Sequence, residues 1–450
     1  MTSHRDSFPH FHNGDVEIAL TPINCLRLHS DILRDSSLHF ERLLTDENAA
    51  VLSKAALKKG ITVRWRIELI NVPWNSALEG IGELVSFPLD SKGNVVNSDN
   101  LPRASMHFEG ASKDPSRHIV DDWYSALGAI YGCEIDIGNM RDLGLVLSRA
   151  SSIVNITEYL QFKKSIFAPI ELALLAGDQM LWRSVNKDPI TWMSLACRIR
   201  CFPIFREAAI HIIGDWKTYS AAEKASLSPE VHDFCKRKAD KFADWKDNLE
   251  VRLMEYRPKK IVFQPGMLPK GKKDHEPDVF VWQTVTLFKD WLMRSFREGM
   301  GANMASDGGY GLYKVLSKGN DAYLPLMEQN KVSALTAPGK AVIADLMREL
   351  KKDVSQIVGP AMLSELRLDI KQWPPGKLTC FTILPRQAPW AVRTASRRGT
   401  PASRPMPTPA PRPPPRMQRY DEFADVGDDD EEEEEEDEDD EGTIHDDCEE

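Results

Sequence analysis

Charge is segregated at the C-terminal end of this chain, and that segregation limits where a core can form. Residues 421–450 carry 21 Asp/Glu and no Lys/Arg, whereas residues 370–420 carry ten Lys/Arg and no Asp/Glu. The run DDDEEEEEEDEDDE repels itself, and residues 385–416 set ten prolines among arginines with too few apolar side chains to offset chain entropy. Both blocks are therefore expected to stay disordered, the proline-rich one in an extended polyproline-like form. The net charge of -11 over 450 residues comes from these blocks, because residues 1–369 hold 47 basic and 47 acidic side chains. Nucleic-acid binding driven by bulk charge is not indicated for that neutral part. At about 150 residues per domain it has room for a sizeable core.

The apolar pattern before the charged blocks changes from a period of two to a helical one. In GDVEIAL, Val16, Ile18 and Leu20 alternate with polar residues, and Leu26 and Leu28 repeat the alternation after a turn at Thr21, Pro22 and Asn24, which predicts a hairpin with one buried face. Ile32, Leu33, Phe40, Leu43 and Leu44 then keep helical spacing over two short helices, the second capped by Ser36 or Ser37. Val63, Trp65, Ile67 and Leu69 in VRWRIELI predict a further strand. Residues 80–118 hold turn signals around one apolar run, Leu84, Val85 and Phe87, and predict a hairpin-like excursion or a long loop. Helix follows from Asp121, and nearly all of 161–256 reads as helix. Asp188 before Pro189 predicts a helix start, Pro203 a break, and Val231, Phe234, Phe242, Trp245, Leu249 and Leu253 one long amphipathic helix. Residues 257–278 predict a linker. A helix from Val279 and two more near 339–357 and 361–371 complete the pattern.

Seven scattered cysteines and a polar start without a secretory leader point to a reducing, intracellular compartment, cytoplasmic or nuclear. The most apolar stretch, Ile166 to Trp182, is interrupted by Glu171 and Asp178, so no membrane span is expected. Cys197 and Cys201 lie four apart on a predicted helix face, but no further ligands at zinc spacing accompany them, and buried packing is the expected role. His10, Phe11 and His12 read as a frayed start. Gly308, Gly309 and Gly311 in DGGYGLYK lack the ending of a phosphate-binding loop and read as turn glycines. Trp182, Trp192, Trp216, Trp245, Trp282 and Trp291 fall on helical faces and are expected in core packing. No catalytic motif appears, so no catalytic, cofactor-binding or metal residue is expected, and no enzyme, cofactor or small-molecule substrate.

Asp15, Val16, His29, Leu33, Ser36 and Phe40, together with Leu127, Ile130, Tyr131 and Gly132, give the N-terminal part a layout that resembles the BTB/POZ domain. With the late pairs Thr379–Cys380 and Pro389–Trp390, the whole resembles fungal BTB-containing proteins. The resemblance implies fold-supporting roles for His29 and Ser36 and a non-catalytic role in assembling partners, either homodimerisation or recruitment of a cullin-type ubiquitin ligase. The expected fold class is α+β: a BTB/POZ-like domain over 11–160 with an insertion at 80–118, a helical extension over 161–256, the linker 257–278, a second helical region over 279–384, a Pro/Arg-rich disordered segment over 385–420 and an acidic tail over 421–450. The expected function is protein–protein interaction as an oligomerising or ligase adaptor. The alternative is a nuclear, chromatin-associated or histone-binding factor that takes basic proteins on its acidic tail. A solubilising role for that tail stays open, as do an SH3-type ligand and a plain linker for PRPPPR.

Overall fold

Alternation along the first strands turns one sheet face inward. The computed structural model describes residues 8–70, 80–96, 118–163, 167–258, 276–302, 304–332 and 337–391. All of them lie in a unit spanning residues 1–400; a second unit, 401–450, which includes PRPPPR and the acidic run, lies outside the described residues. The architecture is α+β, with a small mixed sheet near the N-terminus followed by a mostly helical region. Strand β1 (Val16–Ala19) pairs antiparallel with β2 (Cys25–Leu28) and parallel with β3 (Trp65–Ile70), and β4 (Glu83–Phe87) pairs antiparallel with β3, so the order is β2-β1-β3-β4. Val16, Ile18, Leu26, Leu28, Trp65, Ile67 and Leu69 are all buried, as a two-residue period requires.

Helices α1 (Ser30–Ser36) and α2 (Leu38–Leu43) join β2 to β3. The cap between them is Ser37, whose side chain accepts from the Phe40 N–H and whose hydroxyl donates to the Leu160 carbonyl. Leu33 and Phe40 are fully buried. Replacing either with Ala is expected to cost about 2–5 kcal/mol, read as a shifted urea midpoint. The excursion at 80–118 supplies β4, so its apolar run extends the sheet, and residues 97–117 lie outside the described part. Two hydrogen bonds tie this strand region to the helices that follow a short α3 (Lys54–Lys58) and the sheet, α4 (Ile119–Ile130) and α5 (Leu143–Tyr159): Trp123 Nε1 donates to the Ile81 carbonyl at 2.7 Å, and the Leu84 N–H donates to the Tyr159 hydroxyl at 3.1 Å.

Six helices follow: α6 (Phe167–Leu175), α7 (Asp178–Lys187), α8 (Pro189–Ile199), α9 (Phe202–Gly214), α10 (Ala221–Ala225) and α11 (Pro229–Met254). Asp188 caps α8 by accepting from the Thr191 N–H, with Pro189 in the first turn. The break expected at Pro203 falls at Arg200, which takes a left-handed conformation (φ 55°), and at Cys201, the N-cap of α9. Pro203 sits within the first turn of α9, where a missing N–H removes no intrahelical bond.

Helices α12 (Glu276–Arg297), α13 (Tyr310–Ser317), α14 (Leu326–Val332) and α15 (Ala337–Val358) come next, and a 3-10 turn (Gly359–Met362) ends the series. The helix expected at 361–371 does not form beyond that turn. Its backbone groups bond instead to side chains of α7 and α9, leaving residues 363–384 irregular. The linker expected at 257–278 ends three residues early, because the next helix begins at Glu276, and most of it lies outside the described residues. Disorder expected from residue 385 does not begin there: Pro385–Gln387 form a 3-10 turn, Ala388 is buried, and the Trp390 ring meets that of Phe205 edge-on at 5.2 Å. No described helix is long and apolar enough to cross a membrane.

Candidate interaction sites

Around α12 the second helical region builds its own core. Val285, Phe288 and Leu292 of α12 are buried, with Leu312, Tyr313 and Leu316 of α13, Tyr323 and Leu324, and Ile343, Met347, Leu350 and Val354 of α15. Between α12 and α13 the Asp307 carboxylate accepts from the N–H groups of Gly309 and Gly311, and Gly308 and Gly309 take φ of 63° and 90°, so the glycines serve a turn that a side chain would strain. Lys351 of α15 is buried, yet its Nζ donates to Asp321 at 2.8 Å and to the Leu324 carbonyl at 3.1 Å and lies over the Tyr323 ring. Glu250 of α11 accepts from the Ala302 N–H at 2.6 Å and the Tyr256 hydroxyl donates to Asp353 at 2.8 Å, fastening this bundle to the preceding helix.

The opposite face of α12 is open. Val279, Trp282, Thr286 and Met293, spaced by three, four and seven residues, share one stripe, and Trp282 and Met293 are 45% and 44% exposed. Trp282 therefore departs from the core role expected of the tryptophans, whereas Trp182 and Trp192 are buried as expected.

A second arrangement lies on α9. Glu207 and His211 of α9 and Asp215, its C-cap, recur every four residues on a helix whose one other charged side chain is Arg206, and Glu207 and His211 have no exposed surface. Glu207 accepts from the N–H groups of Arg367 and Leu368 at 2.9 and 3.0 Å, and Asp215 pairs with the buried Lys377. Burial pushes the Glu207 carboxyl up, against the pull of those N–H groups and of Arg206 and Arg367. His211 has no hydrogen-bond partner at either ring nitrogen, and burial, helped by Lys377, lowers it to about 3. The segment 363–391 thus lies along α9, its Phe381 ring 4.9 Å from that of Phe242 on α11.

The other residues singled out in the sequence have structural surroundings. Cys197 and Cys201 are not on one helix, because α8 ends between them. Burial pushes the thiols of Cys197, Cys201, Cys235 and Cys380 up to about 12, so each is protonated and unreactive near neutrality. The frayed start expected at His10–His12 is pinned: the Phe11 N–H donates to the Arg27 carbonyl at 3.0 Å, and its buried ring stacks 5.0 Å from Tyr131. His29 precedes α1, its backbone N–H donating to the Tyr131 hydroxyl and its ring 3.0 Å from Asn13 Oδ1. The capping role open to Ser36 belongs to Ser37. A cavity of about 190 Å³ beside α4 and α5, lined in part by Asp121, Tyr124, Asp136 and Arg149, is the outer end of a buried Asp122–Arg149 ion pair. Among the described residues no group of three or more His, Cys, Asp or Glu side chains is placed to hold a metal ion.

Comparison with curated proteins and with solved structures found no match. No BTB/POZ family matches either, which overturns the resemblance drawn over residues 11–160. Its polar markers have local uses, Asp15 accepting from the Ser30 N–H and hydroxyl and His29 preceding a helix, and such junction residues serve many folds. The family model that matches is that of the FF domain, in its fungal form, over residues 258–360, the part of the chain that holds α12 to α15; FF domains are protein-interaction modules, and a protein-binding role fits.

Proposed function

We propose that this chain is a non-enzymatic protein-interaction protein whose partner is held by the α12–α15 bundle, with Val279, Trp282 and Met293 as the apolar anchor. The FF-domain match over 258–360 carries this reading. The open stripe on α12 supports it, since Trp and Met are enriched at contact surfaces and a half-exposed Trp gains most from being covered. Replacing Trp282 with Asp in the full chain is expected to abolish capture of the protein that wild type retains from its native cell. The melting temperature should stay unchanged, because exposed positions shift stability by no more than about 0.5 kcal/mol. Mass spectrometry of both eluates checks this, and an identical set of captured proteins would remove the stripe from the reading.

The acidic run at 428–441 favours a second contact, with basic proteins. Deleting 421–450 is expected to abolish retention on a histone resin at low salt, and retention that survives the deletion would dismiss it.

A further inference from the structure

We propose that α7 and α9 form a groove that binds a bent, irregular polypeptide segment by its main chain, and that residues 364–377 of this chain are its resident ligand. Five hydrogen bonds from groove side chains fall on main-chain atoms within five residues. Arg206 Nη2 donates to the Glu365 carbonyl at 3.2 Å, and Glu207 accepts from the Arg367 and Leu368 N–H groups. The Gln179 side-chain amide donates to the Arg367 carbonyl at 3.0 Å and accepts from the Asp369 N–H at 2.8 Å. Contacts of that kind read the course of a backbone, here bent at Arg367 and Leu368, rather than a sequence, and leave selection to side chains.

Three side-chain contacts supply that selection. The Arg367 guanidinium lies over the Trp182 ring, the Arg183 guanidinium lies over the Trp373 ring at 4.9 Å, and the buried Lys377 pairs with the half-buried Asp215. The chemical class that fits is thus a segment with a turn in its middle that carries an arginine before the turn, an aromatic residue at its end and a lysine after it.

The walls stand by themselves. Trp192 Nε1 of α8 donates to Ser184 of α7 at 3.0 Å, and α9 packs directly on both α7 and α8, so the helices hold one another by contacts that do not run through the segment. Between its two terminal 3-10 turns the segment forms no helix or strand, only a turn at Asp369–Trp373. Its seat is imperfect as well, since both nitrogens of His211 stay buried without a partner beneath it. Arg206 Nε is buried without a partner too, and polar groups left unsatisfied weigh against closure, so the segment is held by many contacts and opposed by these.

Gly214 gives a way to loosen the segment without weakening the helix. A Cβ there would stand 2.7 Å from the Leu378 carbonyl oxygen, a backbone atom, while Ala is a better helix former than Gly. The test is native-state hydrogen exchange of the full chain and its Gly214→Ala variant, joined to binding of a fluorescent, C-terminally amidated peptide of residues 361–377, which stops short of the Leu378 carbonyl that the new methyl group would meet. In wild type the amides of Arg367, Leu368 and Asp369 are expected to open together, at least ~10-fold more often than those of Ala209 and Ile210 in α9. Gly214→Ala should raise that opening by a further ~10-fold or more without raising it in α9, and should let the peptide bind in trans. A peptide N-methylated at Arg367 and Leu368 should not bind, because Glu207 loses both donors. A single exchange rate for segment and helix in both proteins, a parent peptide that does not bind Gly214→Ala, or equal binding of the methylated peptide would each overturn the proposal. These readouts do not involve α12, so they stand or fall separately from the partner proposed for Trp282.

Discussion

Lowering the pH from 6.5 towards 3 is expected to take several kcal/mol from the stability of the folded chain through His211 alone. In the fold this imidazole has no hydrogen-bond partner and no exposed surface, and burial with Lys377 nearby holds it at about 3 against an ordinary 6.5. Between those values the unfolded chain binds a proton that the folded chain does not, so stability rises with pH across the window and is lost as pH falls through it. The slope approaches ~1.4 kcal/mol per pH unit, which sets an upper limit of about 5 kcal/mol over the full interval. Glu207 works in the opposite sense: its raised carboxyl takes up a proton in the folded state before the unfolded one does, which returns part of the loss. His211→Leu separates the two. Leu is close in volume and removes the unpaired nitrogens, so at pH 7 it should be no less stable than wild type. Urea unfolding of both proteins from pH 7 to pH 3.5 measures the difference; a variant that keeps the wild-type slope would show that His211 is not its source.

Local order was legible wherever one residue type has one strong physical use. Val16, Ile18, Leu26 and Leu28 alternate because one side of a sheet is dry, and they pair in the register that the alternation requires. Asp188 and Pro189 start α8 because the first-turn N–H groups need an acceptor and proline needs no donor there. The segment 363–391 was not legible by the same means. Its backbone bonds go to side chains 150 and more residues away, so no period records them, and the apolar spacing of Leu363, Leu366 and Ile370 imitates a helix. One signal did exist: Glu207, His211 and Asp215 stand every fourth residue in a run as apolar as FPIFREAAIHIIGDW. A polar stripe on a helix that must be buried asks for partners from elsewhere.

The N-terminal resemblance failed for a related reason. Asp15 and His29 belong to a strand–helix junction and Ser36 ends a short helix, places that polar residues fill in many unrelated folds, so they identify local junctions and not a family. The stripe on α12 was partly visible, since Val279, Trp282, Thr286 and Met293 keep helical spacings of three, four and seven. Spacing alone does not say which of two apolar faces is buried, and here the packed face is that of Val285, Phe288 and Leu292.

Replacing Asp122 with Ala is expected to cost about 3–5 kcal/mol, whereas replacing Asp122 and Arg149 together with Leu and Met should cost far less or raise stability. The asymmetry follows from where the pair sits. Arg149 Nε donates to Asp122 Oδ1 at 2.9 Å, and the two side chains are 6% and 4% exposed. Burial pushes the Asp122 carboxyl up while the guanidinium beside it pulls the other way, so the pair persists because each charge needs the other. Asp136, the second partner of Arg149 at 3.3 Å, is 74% exposed and screened by solvent, and it cannot take over. Arg149 Nη2 is already buried without a partner, a cost the folded chain carries now. Removing Asp122 alone adds an uncompensated cation to it; removing both groups deletes the cation, the unpaired donor and the desolvation of two ions, and leaves only the packing of α4 on α5 to restore. Urea unfolding of the wild type, both single variants and the double variant closes the cycle. Equal losses for Asp122→Ala and the double variant would mean that the pair contributes shape and not charge to this part of the core.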